Sequence, residues 1–276
     1  MNSRAAIQTT TETETDPVPY AYDCFWADVV SLQEITPSMT RFVFKIHDGD
    51  RFVPSRCPDE WVRLSFKPNA ETPLSLQVRD ENGKWRWPEG AEPCPDRPYT
   101  VRRWDGSRHE MTVDIVEHAS GLATEWAKSA RPGDRVGVCN PAGRFRLPKQ
   151  TDWVLMVTDI TGLPAVARVA EELPPGFKAY FHIELQKEAD KQSLRTQADV
   201  DLTWHVLDVE TTGKTYSKLA TIAAEITTLP AGNGYIYIAG EAQMVSKSRK
   251  HFRDALGFDK NRIEAIGYWI EGQSRG

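Results

Sequence analysis

The sequence predicts two domains of different class: an antiparallel β domain, barrel or sandwich, followed by a doubly wound parallel α/β domain. Three observations predict this. The length, 276 residues, suffices for two compact cores. Up to Leu147 the chain runs as short β-rich segments broken by Pro, Gly, Asn and Asp, as antiparallel strands do. Beyond Pro148, strand-like runs alternate with helical patterns, which argues a parallel sheet covered by helices.

Residues 1–20 are rich in Thr, Glu and Pro, have little to bury and read as a mobile tail. The first domain, 21–148, carries candidate strands at 25–34, 40–46, 61–66, 99–104, 110–117 and 134–138. One helix interrupts them at 123–130, stopped by Arg131-Pro132-Gly133-Asp134. The second domain, 152–276, opens with a strand at 153–159 and a helix at 163–173 with Pro164 near its first turn. Strands at 178–185, 201–208, 235–241 and 262–269 follow, with helices at 216–229 and 245–256. The domain boundary falls at 148–152, and no internal repeat is visible.

Composition narrows the function classes. The chain is 40% hydrophobic and 26% charged, an ordinary globular balance. Net charge is −5 with no long Lys/Arg run, which argues against a nucleic-acid partner. The four cysteines, Cys24, Cys57, Cys94 and Cys139, form no C-x-x-C pair, so neither a metal or iron–sulfur signature nor a disulfide framework is expected. The start lacks the apolar stretch of a secretory signal, and no run of eighteen apolar residues occurs. The expectation is a cytoplasmic protein without a membrane span.

Five segments could carry chemistry. In Arg97-Pro98-Tyr99-Thr100-Val101-Arg102, Arg97 and Tyr99 share a face of an extended chain, because side chains alternate. A guanidinium fork suits a diphosphate, a phenol ring suits an aromatic cofactor, and Thr100 would reach a ring edge if the strand turns. Second, Asp114, Val116 and His118 lead to Gly121-Leu122-Ala123-Thr124, where small residues at a helix start let a phosphate approach free N–H groups. Thr124 or Ser120 could equally cap that helix. Third, Asn140–Phe145 is a tight connection into the second domain. Fourth is the strand-to-helix loop Asp159-Ile160-Thr161-Gly162-Leu163-Pro164-Ala165, and fifth Ala239-Gly240-Glu241. Both lie at carboxyl ends of strands, where ligands of open α/β sheets collect. Neither is G-x-G-x-x-G, so no Rossmann fingerprint is present.

In this order the segments resemble the siderophore-interacting protein family of FAD-dependent ferric-siderophore reductases, within the ferredoxin–NADP reductase-like superfamily. The resemblance spans about 23–269 through ITPSMTRFVF, RPYTVR, DIVEH, GLATEWA, ARPGDRVGVCNPAGRF, TDITGLPAVARVAEEL, YIYIAGE and GYW. It implies a β-barrel that binds FAD and a nicotinamide-type α/β domain. By that resemblance Arg97, Pro98, Tyr99 and Thr100 hold the diphosphate, the ring and its edge, and Asp114, Val116, His118, Gly121, Ala123 and Thr124 continue the FAD site. Asp159, Thr161, Gly162, Leu163, Pro164 and Ala165, with Gly240 and Glu241, face NADH or NADPH, and Tyr268–Trp269 close over the flavin region. The family's loop usually reads D-E-T-A-L-P-A, so Ile160 and Gly162 replace an acid and an alanine. Ile270 stands where Arg commonly follows G-Y-W. These departures bear on the donor and the substrate.

The implied activity passes electrons from NAD(P)H, or from a ferredoxin, through FAD to the Fe(III) of a ferric siderophore. No protein iron ligand and no acid–base catalyst is expected. An anionic chelate calls for nearby cations, and Arg63, Arg102 and Arg103 are candidates by position. The alternatives are a related flavin oxidoreductase acting on a non-iron acceptor, and a siderophore- or FAD-binding protein without turnover.

Overall fold

A computed structural model of the protein describes residues 23–117, 121–207 and 217–272. They form two compact units, one holding the chain up to Arg56 with Glu60–Gly143, the other Cys57–Asp59 with Arg144 onward. The predicted tail lies outside the described residues.

The first unit is a closed antiparallel barrel. Its strands are β1 (Cys24–Thr36), β2 (Met39–Ile46), β3 (Trp61–Ser65), β6 (Asp96–Asp105), β7 (Glu110–Val116) and β8 (Arg135–Ala142). They close in the order β1-β2-β7-β6-β3-β8. Period-two alternation builds the core: Phe25, Ala27 and Val29 of β1 meet Phe42, Phe44, Val62, Leu64, Val101, Met111, Val113, Val136 and Val138. Helix α1 (Leu122–Ser129) joins the same cluster through Ala123 and Ala127, and its Trp126 packs against Phe42, Phe44 and Phe66. A hairpin of two short strands, β4 (Val78–Arg79) and β5 (Trp85–Arg86), was not predicted. Two-residue strands show no periodicity to read.

The expectation of no disulfide is overturned. Cys24 and Cys139 stand opposite each other across the β1–β8 pair and are joined. Their separation of 115 residues hid the pairing, because only barrel closure brings the first and last strands together. Cys57 and Cys94 are buried and form no disulfide.

The second unit is a five-stranded, all-parallel sheet of order β11-β10-β9-β12-β13. Its strands are β9 (Trp153–Asp159), β10 (Lys178–Leu185), β11 (Asp199–Val206), β12 (Gly234–Glu241) and β13 (Ile263–Trp269). β9 and β12, buried along their whole length, are the continuous apolar runs that a doubly covered sheet demands. Helices α2 (Leu163–Glu172), α3 (Leu219–Glu225) and α4 (Ala242–Lys250) connect them. The predicted helix at 216–229 stops early: two β-branched threonines and Pro230 follow Ile226, and a residue before proline disfavours helical backbone. α4 begins three residues earlier than predicted because the Glu241 side chain accepts from the Met244 N–H at 2.9 Å. Beyond α4 the backbone widens into a π-helical turn, His251–Ala255.

Candidate functional site

In the parallel sheet the chain order reverses between β9 and β12, so the loops after these strands diverge and leave a crevice at their carboxyl ends. Asp159, the last residue of β9, ties the crevice together. It is 3% exposed, and its Oδ1 accepts from the Thr161 N–H at 2.9 Å and the Thr161 hydroxyl at 2.5 Å. Its Oδ2 accepts from the Glu241 N–H at 3.0 Å and the Trp269 indole N–H at 2.8 Å. Burial pushes this carboxyl up, and the four donors pull it back. One side chain thus joins three predicted segments: the 159–165 loop, Gly240–Glu241 and Trp269.

Glycine is required here at two places. Gly240 has φ of +148°, and a Cβ on it would sit 2.4 Å from the Asp159 carboxylate. A Cβ on Gly162 would lie 2.7 Å from that of Thr158, which accounts for glycine where the family usually has alanine. Thr158 itself is wholly buried, and its hydroxyl has no hydrogen-bond partner among the described residues. Leu163, Pro164 and Ala165 are buried at the start of α2, and Ile160 is buried beside them.

Beside Asp159 in the register lies Glu184, near the end of β10. It is 4% exposed and accepts from the Lys218 N–H at 2.6 Å and the Ser217 hydroxyl at 3.3 Å. Burial first, then the charge of Asp159, lift its carboxyl to about 7. Sequence reasoning missed Glu184, although an acid at the end of the strand beside β9 is the position where α/β sheets often meet a ribose.

A second cluster runs inward from Tyr268. Its hydroxyl is 2.9 Å from that of Tyr237 on β12, which reaches the Asp59 carboxylate at 3.3 Å. Asp59, in the turn before β3, also accepts from the backbone N–H groups of Arg144 at 2.9 Å and Phe145 at 2.8 Å. Burial pushes both the Asp59 carboxyl and the Tyr237 phenol up. A polar residue inside the apolar run of β12 was a legible signal for Tyr237. Nothing in Cys57-Pro58-Asp59 marks Asp59.

In the barrel, Arg97 and Tyr99 pair with Leu64 and Val62 of β3 and share their side of the sheet. Tyr99 packs partly exposed against the barrel core, and burial raises its phenol. Arg97 donates to the Asp96 carbonyl at 2.6 Å. Pro98 and Thr100 lie on the opposite side, with Thr100 buried opposite Trp61. A bulge interrupts β6 between Val101 and Arg103. Asp114 is held by Arg41 through bonds of 2.6 and 2.7 Å, so its carboxylate is engaged inside the barrel wall. Val116, Ala123 and Thr124 are buried. Gly121 starts α1 at φ of +139° with open space where a side chain would project. His118 lies outside the described residues. Among the arginines proposed for the substrate, Arg63 is paired with Asp96 at 2.6 Å, Arg102 is half-buried and Arg103 exposed.

A half-covered phenol, a guanidinium two residues away and an unobstructed glycine at a helix start fit an isoalloxazine ring and its phosphates. A closed antiparallel barrel followed by a parallel sheet with its loops tied at the switch point defines a two-domain protein of the ferredoxin–NADP reductase-like class. Comparison with known families narrows this. Residues 28–145 match the siderophore-interacting FAD-binding domain, and residues 151–272 match the siderophore-interacting protein model. The chain belongs to the siderophore-interacting protein family, and its barrel is that family's FAD-binding domain. It is similar to the NADPH-dependent ferric-chelate reductase of Escherichia coli, 30% identical over 87% of this chain and 91% of that one. The ferric vibriobactin reductase ViuB of Vibrio cholerae is 29% identical over 77% of each chain. Among solved structures, a siderophore utilization protein from T. fusca superposes with a TM-score of 0.75 at 28% identity, covering 92% of this chain and 95% of that one. Among the described residues no helix is long and apolar enough to cross a membrane, and no group of three or more ligating side chains is placed to hold a metal ion.

Proposed function

We propose that the chain is an FAD-dependent reductase that passes electrons from NADH or NADPH to the Fe(III) of a ferric siderophore, releasing Fe(II). The observation that carries this reading is that two relatives named as ferric reductases match across most of this chain at 29% and 30% identity. The E. coli name, which specifies NADPH, supports a nicotinamide donor over a ferredoxin.

Arg97 would hold the diphosphate, Tyr99 the ring face and Thr100 the ring edge, with Pro98 fixing the strand between them. Backbone at Asp114, Val116 and His118 and the turn Gly121–Thr124 would complete the FAD site. The loop 159–165 with Gly240 and Glu241 would receive the nicotinamide donor, Asp159 acting as the tie that keeps the crevice open rather than as a ligand contact. Tyr268 and Trp269 would close over the flavin region. FAD, when bound, converts a two-electron input into one-electron outputs. The protein's share is to bind, orient and exclude water, so no side chain is assigned a proton-transfer role in the electron steps. Oxygen chelators hold Fe(III) far more tightly than Fe(II), so reduction loosens the metal. Arg63, Arg102 and Arg103 would attract the anionic chelate, Arg63 while paired with Asp96.

The test is the visible spectrum of the purified protein, then anaerobic addition of NADH, NADPH or reduced ferredoxin, followed by a ferric chelate and an Fe(II)-trapping dye. The expected result is one FAD per chain, bleached by a nicotinamide and restored with Fe(II) formation. Quinones and free flavin as acceptors separate the related oxidoreductase. A protein that takes up no FAD would overturn the reading.

A further inference from the structure

The outer edge of the parallel sheet carries two imidazoles in contact. β11 is an edge strand, and its neighbour is β10. In their register His182 stands opposite Thr203 and Glu184 opposite His205, so the two histidines sit one alternation step apart on one face. Nδ1 of His182 lies 3.1 Å from Nε2 of His205, and the rings stack with centroids 5.3 Å apart and planes at 24°. Both side chains are half-buried. As a hydrogen bond, the contact needs a proton on one facing nitrogen and a lone pair on the other. With both rings in the tautomer that protonates the far nitrogen, two lone pairs lie side by side. That is the donor set of a bidentate metal site. Metal–nitrogen bonds of about 2.0–2.1 Å at a tetrahedral angle place two ligand nitrogens roughly 3.3 Å apart, close to the spacing already present. The surroundings suit a cation: Asp201 of β11 and Glu225 at the end of α3 favour positive charge at His182, and Glu225 does so at His205. Burial opposes protonation of both rings, which keeps them in the neutral form that ligates metals.

We propose that His182 and His205 form a binding site for one divalent transition-metal ion of the zinc and copper kind, with Nδ1 of His182 and Nε2 of His205 as its two protein ligands and water in the remaining positions. Imidazole nitrogen selects this class, whereas magnesium and calcium require oxygen ligands. The ion clasps the edge strand to its neighbour. Because it binds the folded pairing of β10 and β11, it stabilises the fold. The site uses neither the flavin nor the nicotinamide donor.

The test uses the full chain, freed of metal by a chelator and dialysed, with zinc chloride as the probe. His182→Gln and His205→Gln each leave an amide that can still exchange a hydrogen bond with the remaining imidazole, but only one imidazole to ligate. Calorimetric titration of the wild type should find a zinc site that each substitution weakens at least about ten-fold, the smallest cost of losing even a group that merely supports a ligand. His109→Gln in the barrel, which loses a ring bonded to Asp50 at 3.0 Å, should leave that site unchanged. Zinc should raise the melting temperature of the wild type and of His109→Gln, and not that of the two sheet variants. Pulsed electron paramagnetic resonance of protein loaded with one equivalent of copper(II) should show two coordinated imidazoles in the wild type and one in each sheet variant. Absence of zinc binding, zinc binding that survives both sheet substitutions, or a wild-type copper spectrum with fewer than two imidazoles would each overturn the proposal. Should His205→Gln fail to fold, His182→Gln carries the titration, and the wild-type copper spectrum needs no variant.

Discussion

Replacing Glu184 by Gln should make the protein more stable above mildly acidic pH, with the gain nearly complete by neutral pH. The Glu184 carboxyl is lifted from 4.5 to about 7, first by burial and then by the Asp159 charge beside it. At about 1.4 kcal/mol per tenfold change in proton affinity, holding it ionised costs the folded state about 3 kcal/mol. Between 4.5 and about 7 the folded chain binds more protons here than the unfolded chain, so stability falls as pH rises through this window and stays low above it. Glutamine keeps an acceptor for the Lys218 N–H and carries no charge. Denaturant unfolding at pH ~4 should therefore find the two proteins alike. At pH ~8.5 the variant should exceed the wild type by up to about 3 kcal/mol. Asp59 and Asp159, also raised by burial, tilt both curves in the same sense. Losing the Glu184 charge eases ionisation of Asp159, which adds to the gain. A stability difference that stays flat with pH, or shrinks as pH rises, would refute the reasoning.

Two further outcomes follow from the barrel closure and the crevice. Gly240→Ala places a Cβ 2.4 Å from the Asp159 carboxylate at a φ of +148°; it should cost about 2 kcal/mol or more in denaturant unfolding and, by displacing that carboxylate, alter tryptophan fluorescence through Trp269. Cys24→Ser removes the link to Cys139; thermal melts should show a loss of roughly 2–4 kcal/mol without reductant and no difference from wild type once dithiothreitol is added.

Legibility from sequence followed the strength of local pattern. β9 and β12 could be read because they are unbroken apolar runs, and β1 because its first half alternates inward and outward residues. The crevice was legible in outline, since strands of one parallel sheet end together, and that brought Asp159, Gly240 and Glu241 into one neighbourhood, whereas Trp269 was read only from the family resemblance and over the flavin region. Their mutual bonds were not legible, because which carboxylate oxygen meets which N–H depends on register. The same holds for Arg41, whose partner Asp114 lies 73 residues away in sequence. Asp59 and the Cys24–Cys139 link escaped for one reason: each is defined by a partner that only tertiary closure supplies.

The three residues Cys57–Asp59 belong to the α/β unit although the chain reaches them from the barrel and returns to it. No single cut therefore separates the two halves cleanly. A fragment that starts at Arg144 would leave two main-chain amides and a phenol pointing at an acceptor it no longer owns, at about 1–3 kcal/mol for each such orphaned donor. Swapping α/β halves between relatives would succeed only if the tripeptide Cys57-Pro58-Asp59 travels with its sheet, which makes these halves interlocked parts rather than interchangeable cassettes.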